Sequence, residues 1–182
     1  GPLDENGETT LDVCEDWDKF FVVKGDNILR HVAAYDAAVR ENRPLACDSI
    51  IDDVKYWPGQ GNPFFNENFD FPLPDQNLGS FWDEDGDGLY NPCMGDYPIV
   101  SIRNCEPDPQ IPDEIVYWTF NDNGGPHRLT QATPIQMEVH ASAFAFKTLD
   151  EVNDMTFYNY RMINKPYSYY VWHIVILHQH IS

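Results

Sequence analysis

Ile135-Gln136-Met137-Glu138-Val139-His140-Ala141-Ser142-Ala143-Phe144-Ala145-Phe146 alternates from end to end. Successive strand side chains point to opposite faces, so Ile135, Met137, Val139, Ala141, Ala143 and Ala145 share one face. Gln136, Glu138, His140 and Ser142 share the other, followed by Phe144 and Phe146. A period of two over this length reads as a strand. Upstream, Glu114–Phe120 is β-branched and aromatic and runs into the turn signal Asn121-Asp122-Asn123-Gly124-Gly125. Downstream, Met155–Asn164 and Tyr167–Leu177 read as two further strands separated by Lys165-Pro166. Residues 113–182 are therefore expected to form an antiparallel sheet, alone or as one layer of a sandwich.

The N-terminal part, residues 1–57, reads differently. Gly1 to Thr10 is polar and looks like an extended lead-in, and Trp17, Phe20, Phe21 and Val22 make the first apolar cluster. Asp26 is a candidate N-cap for a helix running to about Glu41, with Ile28, Leu29, Val32, Ala33 and Val39 at helical spacing. A short second helix is expected around Ser49–Tyr56, ended by Trp57-Pro58-Gly59. The overall class is α+β, dominated by β structure, in a single domain or a fragment of one.

Between them, residues 58–112 are broken by prolines at 58, 63, 72, 74, 92, 98, 107, 109 and 112. Phe64, Phe65, Phe69, Phe71, Leu73, Phe81 and Trp82 keep this stretch too aromatic for a disordered linker. It reads as an ordered, irregular loop lying against a core.

That loop carries the clearest chemistry in the chain, Asp83-Glu84-Asp85-Gly86-Asp87-Gly88-Leu89-Tyr90. Calcium takes six to eight oxygen ligands, and a tight turn delivers alternate side chains to one point. Asp83, Asp85 and Asp87 occupy positions 1, 3 and 5 of such a loop, Gly88 permits the bend, and the Leu89 carbonyl is the next ligand. An EF-hand places an acid at position 12, where this chain has Met94, so Asp96 is the natural substitute. No helix is expected before Asp83 and Pro92 prevents one immediately afterwards. This is an EF-like loop without an EF-hand, suited to a structural ion rather than a sensor.

Charge and cysteines bound the setting. Thirty acidic residues oppose eleven basic ones, for a net charge of −19, which argues against a nucleic-acid partner. No apolar run approaches the roughly 20 residues that span a bilayer, so no membrane insertion is expected. Cys14, Cys47, Cys93 and Cys105 allow three pairings, of which the sequential one, Cys14–Cys47 with Cys93–Cys105, closes the smallest loops. Disulfides would place the chain outside the cytosol. The sequence shows no initiating methionine, signal peptide or lipidation motif; Gly1-Pro2 reads as a cleavage scar or, alternatively, the whole chain as an internal piece of a longer parent chain.

Two further constellations are weaker. His178 and His180 share a strand face near His173, but an isolated HxH pair is a poor zinc signal. Trp57 and Trp82 are candidates for an aromatic sugar platform, although aromatics in a proline-rich loop more often plug it onto a sheet. No GxSxG, HExxH or phosphate-binding loop occurs, and catalysis is not expected.

The runs Trp57-Pro58 with Gly61-Asn62-Pro63, Asp83 through Pro98, Tyr117 to Asp122, Ala143 to Phe146 and Asn153 to Tyr158 together resemble one group of proteins. These are the large secreted surface proteins of Bacteroidota, many exported by the type IX secretion system. The opening Gly1-Pro2-Leu3 and the Cys14–Phe21 stretch look like the same group, so the likeness covers roughly residues 1–165, and the segment after Pro166 departs from it. The resemblance implies export to the cell surface or beyond, a β-rich extracellular module and no enzymatic activity. The expected function is a calcium-stabilised structural or adhesive module that meets a surface polysaccharide or another surface protein. A calcium-dependent carbohydrate-binding module is the alternative, and a glycoside or zinc hydrolase a distant third.

Overall fold

The computed structural model describes residues 1–101, 111–126 and 128–165, and the backbone of 171–179. Its centre is an antiparallel sheet of five strands: β1 (Phe21–Lys24), β4 (Glu114–Asn121), β5 (Met137–Ala145), β6 (Met155–Asn164) and β7 (Val171–Gln179), in the order β1-β4-β5-β6-β7. The four expected C-terminal strands form a meander, and their antiparallel pairing places Tyr117 opposite Ser142 and Ser142 opposite Asn159. β1 was not anticipated. Its four residues are too short for a periodic signal, yet Phe21 and Val23 are buried while Val22 and Lys24 are not, as strand alternation requires. β2 (Phe81–Trp82) and β3 (Tyr97–Pro98) form a separate two-stranded ribbon.

Helices are few. α1 (Leu11–Asp16) is capped by Thr10, whose hydroxyl accepts the Val13 N–H. The long helix α2 (Gly25–Arg40) begins one residue before Asp26, so Asp26 lies in its first turn and does not cap it. The carboxylate of Asp53 instead accepts from the Lys24 N–H and the Asn27 amide at that end. The buried side of α2 carries Ile28, His31 and Ala38, whereas Leu29 and Val39, expected in the apolar stripe, are exposed. α3 (Asp52–Lys55) falls inside the expected second helix, and α4 (Phe65–Asn68) adds one turn in the proline-rich segment. Among the described residues no helix is long and apolar enough to cross a membrane.

The helices and the proline-rich segment cover one face of the sheet. Trp17, Phe21, Phe65, Phe69 and Phe71 stack with ring centroids 4.5–6.0 Å apart, next to Trp57, Tyr90 and Tyr117 in the same core. The loop aromatics are plugs. Among the described residues the only other sheet is the β2–β3 ribbon, so the architecture there is one large sheet covered by helices and the proline-rich segment. Gly1 to Thr10 is more than a lead-in: Leu3 is buried, and Asp4 closes a turn by accepting the Asn6 and Glu8 N–H groups.

Candidate metal site and a buried acid on the sheet

The 83–96 loop is held from below. Tyr90 is fully buried, donates its hydroxyl to the Val54 carbonyl at 2.6 Å and its amide to the Gln60 carbonyl at 2.7 Å. Cys93 is bonded to Cys47 with Cα atoms 5.3 Å apart. This overturns the smallest-loop pairing: Cys47 follows α2, which packs beside the loop, so proximity in the fold outweighs proximity in sequence. Cys14 is free among the described residues, and Cys105 lies outside them. Gly95, at φ 106°, sits against the Tyr35 ring of α2, where an added Cβ would approach to 2.6 Å. Only glycine fits both requirements.

On this base the acidic residues converge. Carboxylate oxygens of Asp83, Asp85 and Asp96 all lie within 4.8 Å of one another. Calcium–oxygen bonds of 2.3–2.6 Å put opposite ligands about 5 Å apart, so the three oxygens fit within a single coordination sphere. The turn is made by the acids themselves. Asp83 accepts from the N–H groups of Gly86, Asp87 and Gly88, and Asp85 from that of Asp87. Gly86 and Gly88 take φ values of 75° and 82°, a conformation that L side chains avoid.

Asp87 behaves differently from its expected role. It is not one of the converging acids, and its carboxylate accepts the Leu89 N–H at 2.7 Å. Leu89 is consequently held at the turn's exit, with an exposed side chain. Asn91, a weaker ligand candidate, uses its side-chain oxygen to accept the Cys93 N–H. Asp96, the proposed substitute for position 12, is fully buried. Burial pushes its carboxyl up to about 6; the N–H groups of Asn91 and Glu84, 2.7 and 2.9 Å away, pull it back, and Asp85 and Asp83 push it up again.

Sequence reasoning did not single out a second buried acid. Glu138 on β5 is also fully buried. Burial opposes its charge, but His140, the Leu3 N–H and Lys165 together hold its pKa below the ordinary value. His140 Nε2 lies 2.6 Å and Lys165 Nζ 3.4 Å from its carboxylate. The alternation of β5 placed Glu138 and His140 on one face, but nothing in the sequence said that this face was the covered one.

The other candidates are dispersed. Trp57 is buried, with its indole N–H on the Ser80 carbonyl, so it offers no flat surface to solvent. Trp82 is half-buried and donates to Glu84. His173 and His178 lie on β7, opposite Arg161 and Thr156 in register, and His180 lies outside the described residues.

Comparison with known proteins returns nothing. No family model, no curated protein and no solved structure matches this chain.

Proposed function

We propose that the chain is a non-catalytic structural or adhesive module of a longer surface or secreted protein, made rigid by calcium in the 83–96 loop. The convergence of Asp83, Asp85 and Asp96 carries this reading. An all-oxygen, carboxylate-rich site on an irregular loop suits calcium, which tolerates variable geometry, better than magnesium, which demands a near-ideal octahedron. The Leu89 carbonyl and solvent would complete the shell. Calcium neutralises the mutual repulsion of the acids there and cross-links the loop to the buried end at Asp96.

The Cys47–Cys93 disulfide supports an oxidising, extracellular location. It agrees with the likeness to the exported surface proteins of Bacteroidota. The partner on this reading is a surface polysaccharide or another surface protein. A carbohydrate-binding module working through a Trp57–Trp82 platform is less well supported, because Trp57 is buried.

Thermal unfolding in calcium and in chelator tests the proposal. Extracellular structural sites bind with dissociation constants of about 10⁻⁴ to 10⁻³ M. At 10 mM calcium such a site adds about 1.4–2.7 kcal/mol, a rise of roughly 3–10 °C for a chain of this length. Asp85→Ala is expected to abolish the rise. Equal melting of the unaltered chain in calcium and chelator would remove the metal from the proposal.

A further inference from the structure

The inner face of the sheet is apolar at one end, where Ile115, Phe144 and Phe157 stand in one cross-strand row. The next two rows are polar: Tyr117–Ser142–Asn159, then Thr119–His140–Arg161. Above them lies a cavity of about 410 Å³, roofed by Trp57, Leu78, Ser80 and Ile99 and rimmed by the exposed Asn77 and Ser101. That volume falls in the roughly 300–1,000 Å³ range of small-molecule sites.

Three of the residues lining the cavity carry buried polar atoms with no hydrogen-bond partner: Tyr117 Oη, His140 Nδ1 and Asn159 Oδ1. All three residues are more than nine-tenths buried, at 4%, 5% and 8% exposure. Leaving such an atom unsatisfied costs about 1–3 kcal/mol, so three around one cavity need a cause. Their hydrogen-bonding senses are fixed by the neighbours. Asn159 gives its amide N–H to the Ser101 carbonyl at 2.7 Å, which leaves its oxygen as an acceptor. Glu138 takes the proton on His140 Nε2, and burial disfavours the charged ring, so Nδ1 is also an acceptor. Burial keeps the Tyr117 phenol protonated, and although Thr119 lies beside it, that hydroxyl gives its proton to the Val139 carbonyl. Tyr117 is therefore a donor. Arg161 adds a guanidinium that donates to the Asn77 carbonyl and has no acidic partner among the described residues.

We propose that this cavity binds a neutral sugar residue. Each sugar hydroxyl both donates and accepts, which matches a lining whose residues offer donors on Tyr117 and Arg161 and acceptors on His140 and Asn159. The Trp57, Leu78 and Ile99 walls suit the C–H faces of a pyranose ring. An anion fits less well, since the whole chain carries a net charge of −19. The site is separate from the acidic loop and does not rest on the metal reading.

Saturation-transfer NMR and calorimetry on the whole chain test this, using glucose, galactose, N-acetylglucosamine and glucuronate as probes at up to tens of millimolar. At least one neutral sugar is expected to bind. Tyr117→Phe and Asn159→Leu should each weaken it about five- to tenfold, the cost of one hydrogen bond. Asp85→Ala should leave it unchanged, which keeps this result independent of the calcium result. Binding of none of the neutral sugars, binding of glucuronate alone, or affinity unmoved by both substitutions would overturn the proposal. So would a crystal soaked in the sugars whose cavity holds ordered water only.

Discussion

Glu138 on the sheet and Asp96 at the base of the acidic loop are both carboxylates with no exposed surface, and the protein treats them in opposite ways. Around Glu138 it assembles a lysine, a histidine and a backbone N–H, and the acid titrates below its ordinary value. Around Asp96 it supplies two backbone N–H groups and then adds Asp83 and Asp85, and the acid is pushed up to about 6. A buried charge is tolerated where the protein provides its own countercharge. Where the surrounding groups are more acids instead, the reading proposed above has a divalent cation supply the countercharge.

The largest expected effect tests the sheet side. Glu138→Ala leaves Lys165, His140 and the Leu3 N–H without their shared partner, and should destabilise the fold by about 3–5 kcal/mol in denaturant titrations. A cost below about 1 kcal/mol would show that the two acids are not treated differently. Next comes the disulfide, which restrains the loop without a metal. It spans a sequence separation of 46, and replacing Cys47 and Cys93 by serine should cost roughly 2–4 kcal/mol. If calcium and the disulfide restrain the same loop, calcium must order a looser loop in the serine variant, which should show a smaller calcium-dependent rise in melting temperature than the unaltered chain.

The pH dependence separates the two acids by sign. Asp96 in chelator has a folded pKa of about 6 against an ordinary 3.8, so the folded chain binds the extra proton. Its stability contribution is intact below 3.8 and falls as pH rises towards 6, by about 1–3 kcal/mol. Glu138 has a lowered folded pKa, so its contribution is present above 4.5 and is lost as pH falls below that value. Unfolding measured in chelator between pH 4.5 and 6 should therefore show falling stability that millimolar calcium flattens. The smallest effect is within the loop: Asp87→Asn should weaken calcium less than Asp85→Asn, because Asp87 serves the Leu89 N–H and stands outside the converging three.

Much of this contrast was legible in the residues, but unevenly. Strand β5 follows from alternation, because period two is a direct consequence of backbone geometry, and β4 from its β-branched and aromatic residues ahead of a turn. The convergence of Asp83 and Asp85 follows from the spacing of a tight turn, which ties sequence position to direction, and Asp96 joins them as the acid nearest the empty position 12. The same spacing did not foresee that Asp87 stands outside the converging three, with its carboxylate on the Leu89 N–H. The Cys47–Cys93 bond was beyond a loop-length rule, which knows nothing of α2 carrying Cys47 to the loop. β1 escaped because its partner, β4, lies some ninety residues away. Glu138 and His140 escaped because alternation assigns a face without saying what covers it.

A crystal structure grown at millimolar calcium, with anomalous scattering to identify the ion, is the most direct measurement. One calcium is expected at 2.3–2.6 Å from oxygens of Asp83, Asp85 and Asp96, and none beside Glu138. Carboxylates of Asp83 and Asp85 turned outward to water, with no ion between them and Asp96, would contradict the contrast between the two buried acids.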